Sequence, residues 1–139
     1  KLLGVLSPAA FLVEIGKVLI AQQIMADKKQ EAFRDALLEL QDVEAAERQI
    51  VGTDTQEVSA TVFEHWKFEE SLVDVIRNCQ HPEQAKEENQ RASSILHVVR
   101  VAVPINGVLT DESIAKAKEL VQKYSLDLES FEHALENAK

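Results

Sequence analysis

The sequence predicts an all-α protein, a multi-helix bundle folded as a single domain over residues 1–139. Along most of the chain, apolar residues recur three and four positions apart, and no segment alternates with period two as a half-buried strand does. Only four Gly and three Pro occur, which is too few for the many tight turns of a β-sandwich or barrel. A chain of 139 residues is also long enough to bury a core.

The pair Ser7-Pro8 predicts the start of the first helix. A serine can cap a helix, and a proline suits the first helical position because its missing donor is not needed there. The apolar positions that follow at helical spacing, and that we expect to face the core, are Phe11, Ile15, Val18 and Leu19.

Four more helices are predicted between about residues 27 and 79. A helix over about 27–40 has Phe33, Leu37 and Leu38 on its inner face, and a short helix over about 43–50 ends at Gly52. Thr53, with a glutamine three residues later, matches a capping box and begins a helix that closes near Trp66, which we expect in the core. Another helix covers about 69–79.

The second half of the chain continues the helical pattern. The break at His81-Pro82 is followed by a long predicted helix over about 83–103, and a loop covers about 104–110. Two further helices, over about 111–124 and 127–137, complete a C-terminal helical hairpin that we assign to residues 105–139.

Charge and cysteine usage exclude several partner classes. Lys and Arg number 15 against 24 Asp and Glu, for a net charge of −9, whereas nucleic acids and anionic membranes attract clustered cations. The apolar stretch over 11–25 contains Glu14 and Lys17 and is short for a bilayer, so we predict neither nucleic acid nor membrane as a partner. The single cysteine, Cys79, fits the reducing cytoplasm, where we place the protein.

No pattern of catalytic or metal-binding residues emerges. The four histidines, His65, His81, His97 and His133, are scattered, and no pair has the one-turn spacing of a zinc site. Cys79 has no sequence neighbour that would lower its pKa and is expected to be a buried structural thiol. Charged runs such as Glu44, Glu47 and Arg48 are typical of a solvated helix face. We therefore predict no catalytic residue, metal or cofactor.

Three motifs in order resemble a known family. Residues 15–19 (IGKVL), 47–54 (ERQIVGTD) and 64–83, which begin EHWKF and end HPE, are similar to the signature segments of the HDOD domain, a signalling relative of the HD-type phosphohydrolases. Residues 124–131 resemble its closing helix. The resemblance implies an HD-domain-like helical bundle, of which this chain is the C-terminal, HD-like portion. The residues that match the family's structural signature are Gly16, Gly52, Thr53, Asp54, Trp66 and Pro82.

The departures from the family pattern fall on its reactive positions. Active HD enzymes carry His and Asp ligands where this chain has other residues, and the later Asp is replaced by an arginine. The altered positions are Val13, Glu14, Thr55, Asn78, Cys79 and Arg100. A hydrolytic metal site needs several ligands to fix the metal and its water, so the resemblance implies that this chemistry has been lost.

The resemblance therefore implies a non-catalytic bacterial signal-transduction or regulatory module that acts through protein-protein contacts. The alternative is a residual metal-dependent phosphohydrolase or a cyclic-nucleotide-binding sensor that uses the same cleft. The helical bundle that precedes this region in the family is missing, so we expect a fragment of a longer protein with an apolar face uncovered. The candidate interface, for an unidentified protein partner or for self-association, is Leu2, Leu3, Val5 and Leu6.

Overall fold

Every regular element of the chain is helical over residues 2–104 and 107–138, which a computed structural model describes. The all-α prediction is thereby confirmed. The α-helices are α1 (Leu2–Leu12), α2 (Ile15–Ala26), α3 (Gln30–Leu40), α4 (Val43–Val51), α5 (Thr55–His65), α6 (Glu70–Arg77), α7 (Glu87–Ala102), α8 (Asp111–Lys123) and α9 (Leu128–Ala138), with a 3-10 turn at Pro82–Gln84 between α6 and α7.

The first helix differs from its prediction. It does not begin at Ser7-Pro8, because Pro8 lies inside α1, and a turn at 13–14 separates α1 from α2. The predicted core face is also wrong, since Phe11 is 87% exposed and Val18 is 59% exposed, with Ile15 and Leu19 also exposed. The buried face of the two helices consists instead of Ala9, Val13, Gly16, Ile20 and Ile24.

Gly16 explains why this face of α2 is the buried one. The amide of Gly16 lies 2.8 Å from the Ser59 hydroxyl of α5. An added Cβ at Gly16 would stand 2.4 Å from the carbonyl oxygen of Thr55. Only a glycine lets α2 approach α5 this closely, so the larger apolar side chains of α2 are turned outward.

The helical stretch over residues 2–26 is long and apolar enough to cross a membrane by length and composition alone, with a mean hydropathy of 1.8. It is thus longer than the 11–25 segment considered in the sequence. Core helices of soluble proteins pass the same criterion, and in this chain one face of the stretch packs on α5 through Gly16.

Two hydrophobic clusters hold the bundle together. The first joins α1, α5, α6 and α7, and its largest fully buried side chains are Phe63, Ile76 and Leu96. The second joins α7 to α8 and α9 through Val98 and Val121. The predicted C-terminal hairpin corresponds to α8 and α9, while its proposed boundary at residue 105 lies outside the described residues.

Helix ends correct the sequence reading in two places. Gly52 ends α4 with φ +80°, as predicted. The cap of α5 is Asp54 rather than Thr53: its Oδ1 accepts from the Glu57 amide at 2.9 Å. The long seventh helix begins at Glu87, because the Asp74 carboxylate of α6 accepts the Lys86 amide there at 3.0 Å.

Two predicted core side chains are exposed. Leu38 on α3 is 69% exposed, while Ala36 takes the buried position of that helix. Trp66 is 58% exposed at the C-terminal end of α5, and its ring makes an edge-type contact with the buried Phe63 ring, at 6.0 Å between centroids.

Candidate functional site

Four of the six altered positions converge on one cluster between α2, α4, α5 and α7. Arg100 of α7 is at its centre. Its Nε lies 2.8 Å from Oε1 of Glu14, and its Nη2 lies 3.1 Å from Oε1 of Glu44. Its Nη1 lies 3.5 Å from the thiol of Cys79. One guanidinium therefore bridges the start of α2, the first turn of α4 and the segment after α6.

A second cation, Lys17 of α2, closes the other side of the cluster. Its Nζ lies 3.5 Å from Oε2 of Glu14 and 3.5 Å from Oε1 of Glu47, and it donates to the Thr55 hydroxyl at 3.4 Å. Glu14 is thus shared between the two cations. We refer to Glu14, Lys17, Glu44, Glu47 and Arg100 as the charge cluster.

Glu47 is the most deeply buried member of the charge cluster, with 1% of its surface exposed. Its carboxylate accepts the backbone amide of Thr55 at 2.8 Å and the Thr55 hydroxyl at 2.8 and 2.9 Å. Thr55 is the first residue of α5, where amides have no intrahelical partner. The Glu47 carboxylate, which belongs to α4, therefore accepts the first backbone amide of α5 and caps that helix.

The electrostatics favour the ionised forms of Glu44 and Arg100. Burial alone would raise the pKa of Glu44, but the Arg100 guanidinium and a hydrogen bond from Gln56 outweigh it, so the pKa of Glu44 is lowered. Burial would likewise lower the pKa of Arg100, but the neighbouring carboxylates of Glu14 and Glu44 raise it. The Glu44 carboxylate and the Arg100 guanidinium therefore stay charged at neutral pH.

Cys79 is fully buried, in agreement with its predicted structural role. Burial raises the pKa of its thiol to about 11, even though the Arg100 guanidinium acts in the opposite direction. Because the thiolate is both the nucleophile and the metal ligand of cysteine chemistry, this side chain is protonated and unreactive at neutral pH.

The remaining altered positions have local structural roles. Val13 is buried in the first hydrophobic cluster, and its carbonyl accepts the Ser59 hydroxyl at 2.8 Å. Asn78 points away from the charge cluster, since its Nδ2 donates to the side chain of Asp74 at 2.9 Å. Neither side chain reaches Arg100.

The signature residues lie around the cluster rather than in it. Asp54 pairs with Arg48 while it caps α5, and Pro82 is buried at the start of the 3-10 turn. Gly16 and Gly52 set the approach of α2 and the end of α4.

Sequence reasoning missed Glu44, Glu47 and Lys17 as members of the site. The run containing Glu44 and Glu47 was interpreted as solvated surface, and this is wrong because Glu47 is buried and the side chain of Glu44 is only 14% exposed. The available signal was the motif over 47–54, whose acidic first residue lies eight positions before Thr55.

Within residues 2–104 and 107–138, no three His, Cys, Asp or Glu side chains form a group that could hold a metal ion. The predicted interface residues are divided: Leu3 is 75% exposed and Leu2 is also exposed, whereas Val5 and Leu6 are half-buried and pack on the first hydrophobic cluster.

Comparison with known proteins supports the resemblance. The model of the HDOD domain family matches residues 5–82, which contain most of α1 and all of α2 to α6. A crystal structure described as a virulence factor from Campylobacter jejuni subsp. jejuni is similar to 86% of this chain at 19% identity, with a TM-score of 0.71. The chain spans 45% of that protein's length. No curated protein matches it.

Proposed function

The chain belongs to the HDOD domain family, and on that premise we propose that it is a non-catalytic signal-transduction module that acts through protein-protein contacts in the bacterial cytoplasm. The observation that carries the proposal is Arg100. Where the family resemblance expects an acidic metal ligand, this chain has a buried guanidinium that engages the carboxylates Glu14 and Glu44.

A metal ion would have to displace cations that belong to the chain. Glu14 and Glu44 are bonded to Arg100, and Glu47 is held by Lys17 and Thr55. Removing one partner from a buried ion pair costs about 3–5 kcal/mol, so the metal would have to repay that amount before it gained any affinity. The cluster is therefore a structural replacement for a metal centre.

The other potential ligands are also occupied. The hydroxyl of Thr55 donates to Glu47, the amide of Asn78 donates to Asp74, and the thiol of Cys79 is held protonated by burial. Metal-activated hydrolysis needs an open coordination position with a bound water. The proposal is supported by the finding that, among the described residues, no three His, Cys, Asp or Glu side chains form a group that could hold a metal ion.

Isothermal titration tests the proposal against its alternative, a residual phosphohydrolase or a cyclic-nucleotide sensor. We expect no saturable heat from manganese, zinc or cyclic dinucleotides with the unmodified chain. Arg100→Asp, which restores a carboxylate at this position, is the matched positive control for metal binding. Saturable metal binding together with phosphodiesterase turnover in the unmodified chain would replace the proposal with the enzyme; saturable cyclic-dinucleotide binding would replace it with the sensor.

A further inference from the structure

The exposed face of α2 has the residue spacing of a coiled-coil seam. On α2, Ile15, Val18, Gln22 and Met25 follow one another at intervals of three, four and three residues, and Phe11, at the end of α1, lies four residues before Ile15 across the turn at 13–14. The alternation of three and four is the heptad spacing of two helices packed along their length. All five are exposed, and Met25 reaches 63%. We refer to these five residues as the seam.

A groove beside the seam adds residues of α5 to the exposed apolar surface. It has a volume of about 530 Å³ between α2 and α5, and Ile15, Val18 and Leu19 face Val62 and Trp66 across it. Trp66, which the sequence placed in the core, is instead part of this exposed apolar surface. A helix laid along the seam would bury side chains from both α2 and α5.

We propose that this surface binds a second copy of the same chain, with α2 packed against α2 about a two-fold axis. The proposal deepens the proposed function, on which it rests, by naming the partner. A seam that is itself a regular heptad is complementary to its own copy, because a two-fold axis that runs between two parallel α2 helices sets each seam residue, Val18 included, against the same residue of the other copy.

The polar seam residue supports an in-register pair. Gln22 occupies the heptad position at which a single polar residue fixes register and partner number in coiled coils. With the two helices parallel, it meets Gln22 of the second copy, and each amide can donate to and accept from the other.

Charge also favours a second copy at this face rather than elsewhere. The chain has a net charge of −9, so most of its surface repels another copy. The positions that flank the seam on α2 carry Leu19 and Ala21, and the nearest carboxylate, Glu14, is already paired with Arg100. The seam is therefore an uncharged strip on an acidic protein.

The area is adequate for a weak dimer. With about 150–250 Å² for a large side chain, the exposed parts of the seam, Leu19 and Trp66 amount to roughly 700 Å². Stable interfaces bury about 800 Å² per partner, so the seam and groove supply most of what is needed.

Sedimentation velocity of the described chain, from micromolar to millimolar concentration, is the test. We expect a monomer–dimer equilibrium whose Kd rises at least about tenfold in Val18→Asp, because symmetry would bury two carboxylates against each other. Leu38→Asp is the control, since Leu38 is similarly exposed on α3, and it should leave the Kd unchanged. Circular dichroism confirms that both variants remain folded.

A charge-swap mixture makes the test specific to the symmetry. Val18→Asp and Val18→Lys should each be monomeric alone, and an equal mixture should recover dimers, because opposite charges then face each other at the axis. A chain that is monomeric throughout, or a dimer that Val18→Asp leaves intact, overturns the proposal. Binding of the monomeric chain to uncharged phosphatidylcholine vesicles would also overturn the proposal. None of these outcomes involves metal or turnover, so the proposed function stands or falls separately.

Discussion

Gly16 shows how a single residue sets the geometry of the site. Its missing Cβ allows α2 to touch the first turns of α5, and its amide donates to Ser59 while the Ser59 hydroxyl donates to Val13. The contact places Lys17, the next residue, beside Glu47 and Thr55. The charge cluster therefore depends on a glycine that carries no charge.

Gly16→Ala should destabilise the chain by about 1–3 kcal/mol or more, because the added methyl overlaps backbone atoms of Thr55 and Ser59. Urea unfolding measures the change. The matched control is Gly4→Ala in α1, where the added methyl meets nothing within 4 Å and should stabilise the helix by about 0.5–1 kcal/mol. Equal effects of the two substitutions would contradict the close-contact account.

Arg100→Met should lower the free energy of unfolding at pH 7 by up to about 3–5 kcal/mol, since it leaves the largely buried Glu44 without its cation and Glu14 with Lys17 alone. The pKa of Glu44 is lowered in the folded state, so its contribution is present above the unfolded value of 4.5 and is lost as pH falls through the folded value. The difference in the free energy of unfolding between the variant and the parent should therefore shrink in acid. Urea titrations at pH 7 and at an acid pH would measure it. A difference independent of pH would mean that Arg100 acts through packing.

The sequence located Glu14, Thr55 and Arg100 by register, because the motifs are short and ordered. It failed on Glu44 and Glu47 for a physical reason. A charged helix face has the same local pattern whether it faces water or a cation, and the deciding cation, Arg100, lies 56 residues from Glu44 along the chain.

At the scale of the elements, helix ends marked by a strong local signal were predicted, whereas the starts of α1, α5 and α7 and the buried face of α2 were not. Gly52 and the break before Pro82 act locally, so their effect can be read from a few residues. The buried face of α2 depends on how closely α5 approaches, which local periodicity does not contain. Phe11 and Val18 were therefore assigned to the core, although close packing excludes them from it.

The joint between α7 and α8 provides an element-scale prediction about pH. Nδ1 of His97 on α7 lies 2.8 Å from the hydroxyl of Tyr124, directly after α8. Burial, with help from the charge of Arg100, lowers the pKa of His97 below 6.5. A lowered folded pKa means that the contribution is present above 6.5 and is lost as pH falls through the folded value.

We expect acid to loosen the α8–α9 hairpin before it unfolds the first hydrophobic cluster. Hydrogen exchange of α8 amides at pH 7 and pH 5 measures this, and His97→Phe should flatten the dependence because it keeps a ring without a titratable nitrogen. His133→Phe on α9, at an exposed histidine, is the control and should leave the dependence unchanged. Equal acceleration in α5 would show general acid unfolding instead.

For the whole molecule, an internal pair of cations, Arg100 and Lys17, is matched to the carboxylates of Glu14, Glu44 and Glu47. Apolar residues of α2 and α5 form a separate, exposed surface. In our account, the charge cluster takes the place of a catalytic metal site, and the apolar residues of α2 and α5 provide a binding surface. The two can be tested separately, and the absence of chemistry is the central claim.

Elemental analysis of the chain purified without chelator, followed by a phosphodiesterase assay on the same sample, tests that claim most directly. We predict iron, manganese and zinc far below one equivalent per chain and no turnover above buffer, because the carboxylates near Arg100 are already neutralised. Stoichiometric metal accompanied by turnover, and lost together with it on chelation, would contradict the account.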